Sequence, residues 1–291
     1  MKIGIFGNLH TEEIVVLSKK LFEISRKKDI ALIIEKDLYD FLQTKHIEIP
    51  QSEIITSDDF HADVVISIGG DGTFLKTASR IGRKNIPILG VNTGRLGFLI
   101  DTSKEDFVKA IDLLLNGEYA VEERTALQLN CTDAHFCNDA FALNEVAVLK
   151  QDSNSMITLQ TKVNGEYLTT YLADGLIIST PTGSTAYSMS VGGPLVVPQS
   201  KNLIISPVAP HSFNIRPLVI PDEWEIELKV ESRSNSFLVA LDGRSEIFHH
   251  SSKLRIKKAD FTIKVVKRPE HSFFDSLRNK LLWGIDKRNN E

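Results

Sequence analysis

The run Ile66-Ser-Ile-Gly-Gly-Asp-Gly-Thr73 ends an apolar stretch in three glycines set around one carboxylate, a composition suited to phosphate. Glycine tolerates positive φ and has no side chain to hold a polyanion away, so successive N–H groups can line a small anion-binding concavity. Apolar residues at Phe74, Leu75, Ala78 and Ile81 predict a helix opening near Thr73, whose N-terminus favours negative charge at the same loop. Asp71 stands out there. A carboxylate beside phosphates is repulsive unless it binds a metal ion or takes a proton from an attacking hydroxyl, and both roles belong to phosphoryl transfer.

A second informative segment runs from Asp174 to Pro194. A strand is expected to end at Ser179-Thr180, and Pro181 and Gly183 lead into a hydroxyl-rich stretch closed by Gly192-Gly193. Tyr187 offers a ring face to a base or ribose, although an ordinary Ser/Thr-rich connection has the same composition. Cys131 and Cys137 flank His135, but no second ligand pair stands at zinc spacing, so two reduced thiols on or near a β-hairpin are expected. His249-His250 reads as a solvated pair at a strand end, and Asp242-Gly243 as a hairpin turn.

The elements that must position these residues change character along the chain. From residue 2 to about 118, short β-rich runs (Lys2–Phe6, Ile30–Ile34, Val64–Ile68, Ile86–Val91) alternate with helical periods, the last opened by Ser103-x-x-Asp106 in the manner of a capping box. Alternation of this kind predicts a parallel sheet with helices on its faces, and Gly69–Thr73 falls at the carboxyl end of a strand, where such folds bind ligands. Beyond about residue 120 strand follows strand, including one run over Phe141–Leu149 and a hairpin at Asn164-Gly165. That half is expected to be antiparallel. Phe273, Leu277, Leu281 and Leu282 then predict a helix returning to the first domain.

With 291 residues, 42% hydrophobic and 25% charged, the chain suits two globular domains. A net charge of −4 gives no electrostatic reason to expect nucleic acid, and the apolar runs are far too short for a membrane span. A cytoplasmic protein is expected, with Met1–Phe6 a first strand rather than a signal segment.

Taken together, Gly69-Gly70-Asp71-Gly72-Thr73, Asn144-Glu145 and Asp174–Pro194 resemble the signature motifs of the NAD kinases, which convert NAD to NADP. Further matches are Gly90–Phe98, Pro210-His211-Ser212, Arg216-Pro217-Leu218, Asp242-Gly243 and Leu277–Trp283, so the resemblance covers nearly the whole chain. It implies a Rossmann-like parallel α/β domain over 1–120, joined by the returning helix of 270–291, and a C-terminal antiparallel β-sandwich domain over 121–269. It also implies transfer of the terminal phosphoryl of ATP, with Mg²⁺ or another divalent cation, to the 2′-hydroxyl of the adenosine ribose of NAD.

By the same resemblance Asp71 is the catalytic carboxylate, and Gly70, Gly72 and Thr73 cradle phosphates beside it. Asn144 and Glu145 hold the adenosine, since a carboxylate accepts from ribose hydroxyls and an amide both donates to and accepts from adenine. Thr185, Ala186, Tyr187 and Ser190 form the adenine side, and Asp174 meets the nicotinamide carboxamide. The metal ligands stay unassigned, as do the roles of Arg95 and His211. A homo-oligomer, dimer or tetramer, is implied, in which Asp174 of one subunit approaches the ligand of another.

A lipid kinase of the same superfamily would share the glycine loop but lack the Asp174–Pro194 motif, and a non-catalytic NAD-binding regulator would lack Asp71. Dehydrogenase and P-loop ATPase readings are disfavoured: no Gly-x-Gly-x-x-Gly follows the first strand, and the chain has no Gly-Lys dipeptide.

Overall fold

The computed structural model describes residues 1–94, 97–131, 140–152, 155–268 and 272–284. The chain forms two compact units, Met1–Glu123 with Ile263–Glu291, and Arg124–Thr262. The first alternates strand and helix through β1 (Lys2–Gly7), α1 (Glu13–Lys28), β2 (Ala31–Glu35), α2 (Lys36–Thr44), β3 (Ser52–Ile55), β4 (Val64–Gly69), α3 (Asp71–Ile81), β5 (Ile88–Asn92), β6 (Thr102–Ser103) and α4 (Phe107–Asn116). These strands pair in parallel in the order β3-β2-β1-β4-β5, with β6 beside β5.

A parallel strand covered on both faces needs apolar side chains throughout, and β4 is buried at every residue. Ile14, Leu17, Leu21 and Phe22 lie on one face of α1, and Phe107, Ala110, Ile111 and Leu114 on one face of α4. Both stripes join Ile3, Ile5, Ile66 and Ile68 in one core. The expected capping box does not open α4, which starts at Phe107 with Asp106 at its N-cap and no side-chain cap; Ser103 lies in β6, and its Oγ accepts from the Asp106 N–H at 3.2 Å and donates to the Asp106 carboxylate at 3.0 Å. The order of connection reverses between β1 and β4, where a doubly wound sheet opens a crevice at its carboxyl edge. The Gly69–Gly72 loop stands at that edge, and the Asn8 N–H ties the end of β1 to Ile68 O at 2.8 Å.

The second unit is a β-sandwich. Its elements are β7 (Ala120–Cys131), β8 (Phe141–Ala142), β9 (Glu145–Lys150), β10 (Ile157–Val163), β11 (Glu166–Ala173), β12 (Gly175–Ser179), a 3₁₀ turn (Thr182–Thr185), α5 (Tyr187–Ser190), β13 (Asn202–Val208), β14 (Leu218–Pro221), β15 (Ile226–Glu231), β16 (Ser236–Leu241), β17 (Arg244–His249) and β18 (Lys253–Lys267). One antiparallel layer runs β11-β10-β15-β18 and the other β14-β13-β12-β9-β16-β17. Alternate residues of each face inward: Ile157, Leu159, Ile226 and Leu228 of the first layer share a core with Val146, Val148, Leu176, Ile178, Phe237 and Val239 of the second. Asn164 and Gly165, at φ 50° and 84°, make the expected two-residue turn.

Strand β18 serves both units. Lys253–Ile256 pair with β15, whereas Val265 pairs with Ile88 of β5, and α6 (Phe273–Leu281) follows in the first unit. Among the described residues, no helix is long and apolar enough to cross a membrane.

Several expectations need correction. The helix after the glycine loop starts at Asp71, two residues before Thr73, and Gly69, Gly70 and Gly72 are not among the glycines at positive φ. What their lack of a side chain secures is space. A Cβ on Gly69 would collide with Thr73, while Gly70 and Gly72 have nothing within 4 Å of that position, leaving the loop backbone open to a ligand. The run Phe141–Leu149 is two strands broken at Leu143-Asn144, and β3, β7, β14 and β17 have no clear signature in the hydropathy pattern. Arg95, His135 and Cys137 lie outside the described residues.

Phe237 is fully buried and stacks on Phe248 with ring centroids 5.9 Å apart. Replacing it with Ala is expected to cost about 3–5 kcal/mol, read as a lower urea midpoint at unchanged slope.

Candidate active site

Asp71 occupies the first turn of α3, and its carboxylate is held by main chain. The Phe98 N–H donates to Oδ2 at 2.8 Å, with the Leu99 N–H 3.5 Å away. Gly97 permits this approach, because a Cβ there would overlap the carboxylate itself. Gly97 and Phe98 are thus the wall against which Asp71 is set; upstream, β5 ends at Asn92, whose Oδ1 accepts from the Gly94 N–H at 2.8 Å. The other oxygen, Oδ1, is enclosed and has no hydrogen-bond partner among the described residues. A carboxylate with one oxygen anchored and one unsatisfied is oriented to accept a proton.

In the second unit the break at Leu143-Asn144 forms the other candidate cluster. Asp242 lies beneath it and accepts three main-chain N–H groups, from Leu143 at 2.6 Å, Asn144 at 2.8 Å and Glu145 at 3.1 Å. Thr180 closes the opposite side. Its N–H donates to Asn144 O at 2.9 Å, its hydroxyl donates to Leu143 O at 2.6 Å, and the same oxygen accepts from the Gly183 N–H at 3.1 Å. Gly183 must be glycine, since a Cβ would strike the Asn144 carbonyl.

Held in this way, Asn144 Oδ1 and Glu145 Oε2 are buried with no partner among the described residues. Burial, then the neighbouring charge of Asp242, pushes the Glu145 carboxyl up to about 8, against the main-chain N–H of Tyr187, which favours its charged form. Burial raises Asp242 as well, against the three N–H donors that favour its charged form.

Of the residues expected on the adenine side, Thr185 ends the 3₁₀ turn, Ala186 links it to α5, and Tyr187 and Ser190 lie on α5. Tyr187 is 38% exposed, and the Ser190 hydroxyl donates to Tyr187 O at 2.8 Å. The buried hydroxyls of Ser188 and Ser206, 3.0 Å apart, fasten α5 to β13. Asp174 is elsewhere. β12 pairs Ser179 with Glu145 and Gly175 with Leu149, so about 20 Å of extended chain separates Asp174 from Thr180. Asp174 is salt-bridged to Lys150 at 2.7 Å. His211 is exposed, and its N–H donates to Leu172 O at 2.9 Å, near the Asp174 end. Lys76 is on the surface, 3.7 Å from the buried Glu35 carboxylate.

Among the described residues no three His, Cys, Asp or Glu side chains gather as a metal cage. The sequence picks out Asp71 by its loop and Asn144 and Glu145 by the family resemblance, but not the clamps that hold them. Asp242 carries a signal only as a turn, and Gly97 only as part of a motif.

Comparison with known proteins bears on both units. Residues 3–119 match the ATP-NAD kinase N-terminal domain and residues 143–268 the ATP-NAD kinase C-terminal domain. An NAD kinase of Bacteroides fragilis is 53% identical over 289 residues, covering 99% of this chain and 100% of that protein. The yeast NADH kinase complexed with NADH has a similar fold, with a TM-score of 0.90 at 21% identity over 100% of this chain and 90% of the yeast one. An NAD kinase from Archaeoglobus fulgidus in complex with ATP matches with a TM-score of 0.75 at 26% identity, covering 97% and 99% of the two chains.

Asp242→Asn keeps the shape but turns an amide donor toward one of the three N–H groups. A loss of about 2 kcal/mol is expected, together with a Glu145 titration below 8 once the like charge is gone. In the parent protein, folding raises Glu145 from 4.5 to about 8, so between those values the folded state binds more protons than the unfolded one. Stability contributed by Glu145 is therefore full below pH 4.5 and lost as pH rises through about 8; Glu145→Gln should flatten this part of a denaturation-against-pH curve.

Proposed function

The chain belongs to the ATP-NAD kinase family, and from that premise we propose the residues by which it phosphorylates NAD. The enzyme is a phosphotransferase that moves the terminal phosphoryl group of ATP to the 2′-hydroxyl of the adenosine ribose of NAD, giving NADP. A lone pair of the 2′-oxygen attacks the γ-phosphorus, the bond from that phosphorus to the β-phosphate oxygen breaks, and ADP leaves with the electron pair. Asp71 takes the hydroxyl proton on Oδ1 and passes it to solvent. The single observation that carries this role is the asymmetry of its carboxylate, with Oδ2 fixed by the Phe98 N–H and Oδ1 unpartnered among the described residues.

Gly70, Gly72 and Thr73 present the open backbone of the loop to phosphate. A divalent cation such as Mg²⁺, bound with the triphosphate, would supply charge neutralisation in a loose transition state. Asn144 and Glu145 hold the adenosine through the two oxygens that the fold leaves unsatisfied, and Tyr187 stacks on the base beside Thr185, Ala186 and Ser190. The separation of Asp174 from this cluster along β12 supports a homo-oligomer in which Asp174 serves the ligand of a neighbouring copy.

The deciding experiment is NADP formation from NAD, ATP and Mg²⁺ by the purified protein and by Asp71→Asn, with NADH and a diacylglycerol as alternative acceptors. NADP from the parent and a loss of several orders of magnitude in kcat with NAD binding retained are expected; undiminished turnover in the variant would falsify the role of Asp71. Tyr187→Ala should raise KM for NAD more than it lowers kcat, because stacking acts in ground and transition states alike.

A further inference from the structure

The last turn of α6 carries a cation that its helix does not need. Lys280 Nζ is buried and has no hydrogen-bond partner among the described residues, a costly state for an ammonium group. It stands over the Phe98 ring, 4.6 Å from the centroid. Phe98 is the residue whose N–H anchors Asp71, so one residue supports the carboxylate through its backbone and the ammonium through its ring. Two unsatisfied groups of opposite type, Asp71 Oδ1 and Lys280 Nζ, are therefore held on one short segment of the first unit without a hydrogen bond between them. A phosphoryl group and the hydroxyl attacking it present the complementary pair: oxygens that accept and a proton to be taken.

We infer that Lys280 is a catalytic residue whose Nζ donates to an oxygen of the phosphoryl group under transfer, while Asp71 Oδ1 accepts the proton of the attacking hydroxyl. This rests on the kinase reading of Asp71. Lys280 stays protonated throughout, and its charge offsets the negative charge of the transferring group much as a P-loop lysine does in folds that possess one. The charged groups acting on it are Asp71 on α3, Asp101 before β6 and Lys267 on β18, of which the last two are paired at 2.6 Å. Burial draws its proton affinity down to about 8 against the pull of Asp71 and Asp101. Neutral pH thus leaves the group charged, and mild alkali removes the charge.

The test uses the full chain with NAD, ATP and Mg²⁺, and compares Lys280→Met with Lys280→Arg. Lys280→Met should lower kcat about 100-fold with KM for NAD within about threefold, and Lys280→Arg should recover about tenfold of the loss. The parent kcat should fall above about pH 8, the Arg variant should carry that fall to higher pH, and the Met variant should lack it. A Met variant within about threefold of the parent, or an unmoved alkaline limb in the Arg variant, overturns the assignment.

Should the Met variant fail to fold, the ¹³Cε resonance of Lys280 in the parent protein decides. Its titration should move up when Mg²⁺ and a non-hydrolysable ATP analogue bind, and an unshifted titration overturns the assignment. Inactivity of the parent itself, or an active Asp71→Asn, would instead count against the kinase reading, so the two failures are separable.

Discussion

Carboxylates that work beside phosphates cannot be held by side-chain cations alone, because those cations would compete with the reaction for the same charge. This fold meets the constraint with neutral main-chain donors. Asp71 rests on the Phe98 N–H, and Asp242 on three successive N–H groups from Leu143 to Glu145. The approach of Asp71 to its donor leaves no room for a Cβ at Gly97, and in the other unit the Asn144 main chain leaves none at Gly183. The glycines of the phosphate loop differ: at Gly70 and Gly72 the omitted side chain leaves open space rather than a contact.

What could be read from the sequence follows from how each element is buried. Helices α1 and α4 and strands β1, β4 and β5 face a core, and their apolar periods announce them. Strands β3, β14 and β17 end their sheets, pair on one side and bury few residues, so no apolar alternation of useful length marks them. At the start of β7, Glu122, Glu123 and Arg124 mask the alternation that begins after them.

The most consequential omission is the break within Phe141–Leu149. That run is apolar at Val146, Ala147 and Val148, and although Asn144-Glu145 alone could be a polar turn between strands, its pattern does not show that Leu143 and Asn144 turn to meet Asp242, about a hundred residues later in the chain. Local pattern identified Asp71 as a chemically able residue, and the family resemblance added Asn144 and Glu145. Neither revealed which of their oxygens the fold leaves unsatisfied, since that depends on pairings such as Phe98 with Asp71 that only tertiary structure creates.

Strand β18 passes from the sandwich into the α/β unit and is followed by α6, so the second unit is an insertion within the first. During synthesis the glycine loop leaves the ribosome early, whereas Val265 and Lys280 emerge only after the whole sandwich has been made. The first unit must therefore wait, with the β5 edge unpaired at Ile88 and the Phe98 ring without the ammonium group of Lys280. Order of translation thus delays completion of the phosphoryl-transfer centre until both units exist, and a nascent chain halted before α6 presents the loop without its cation.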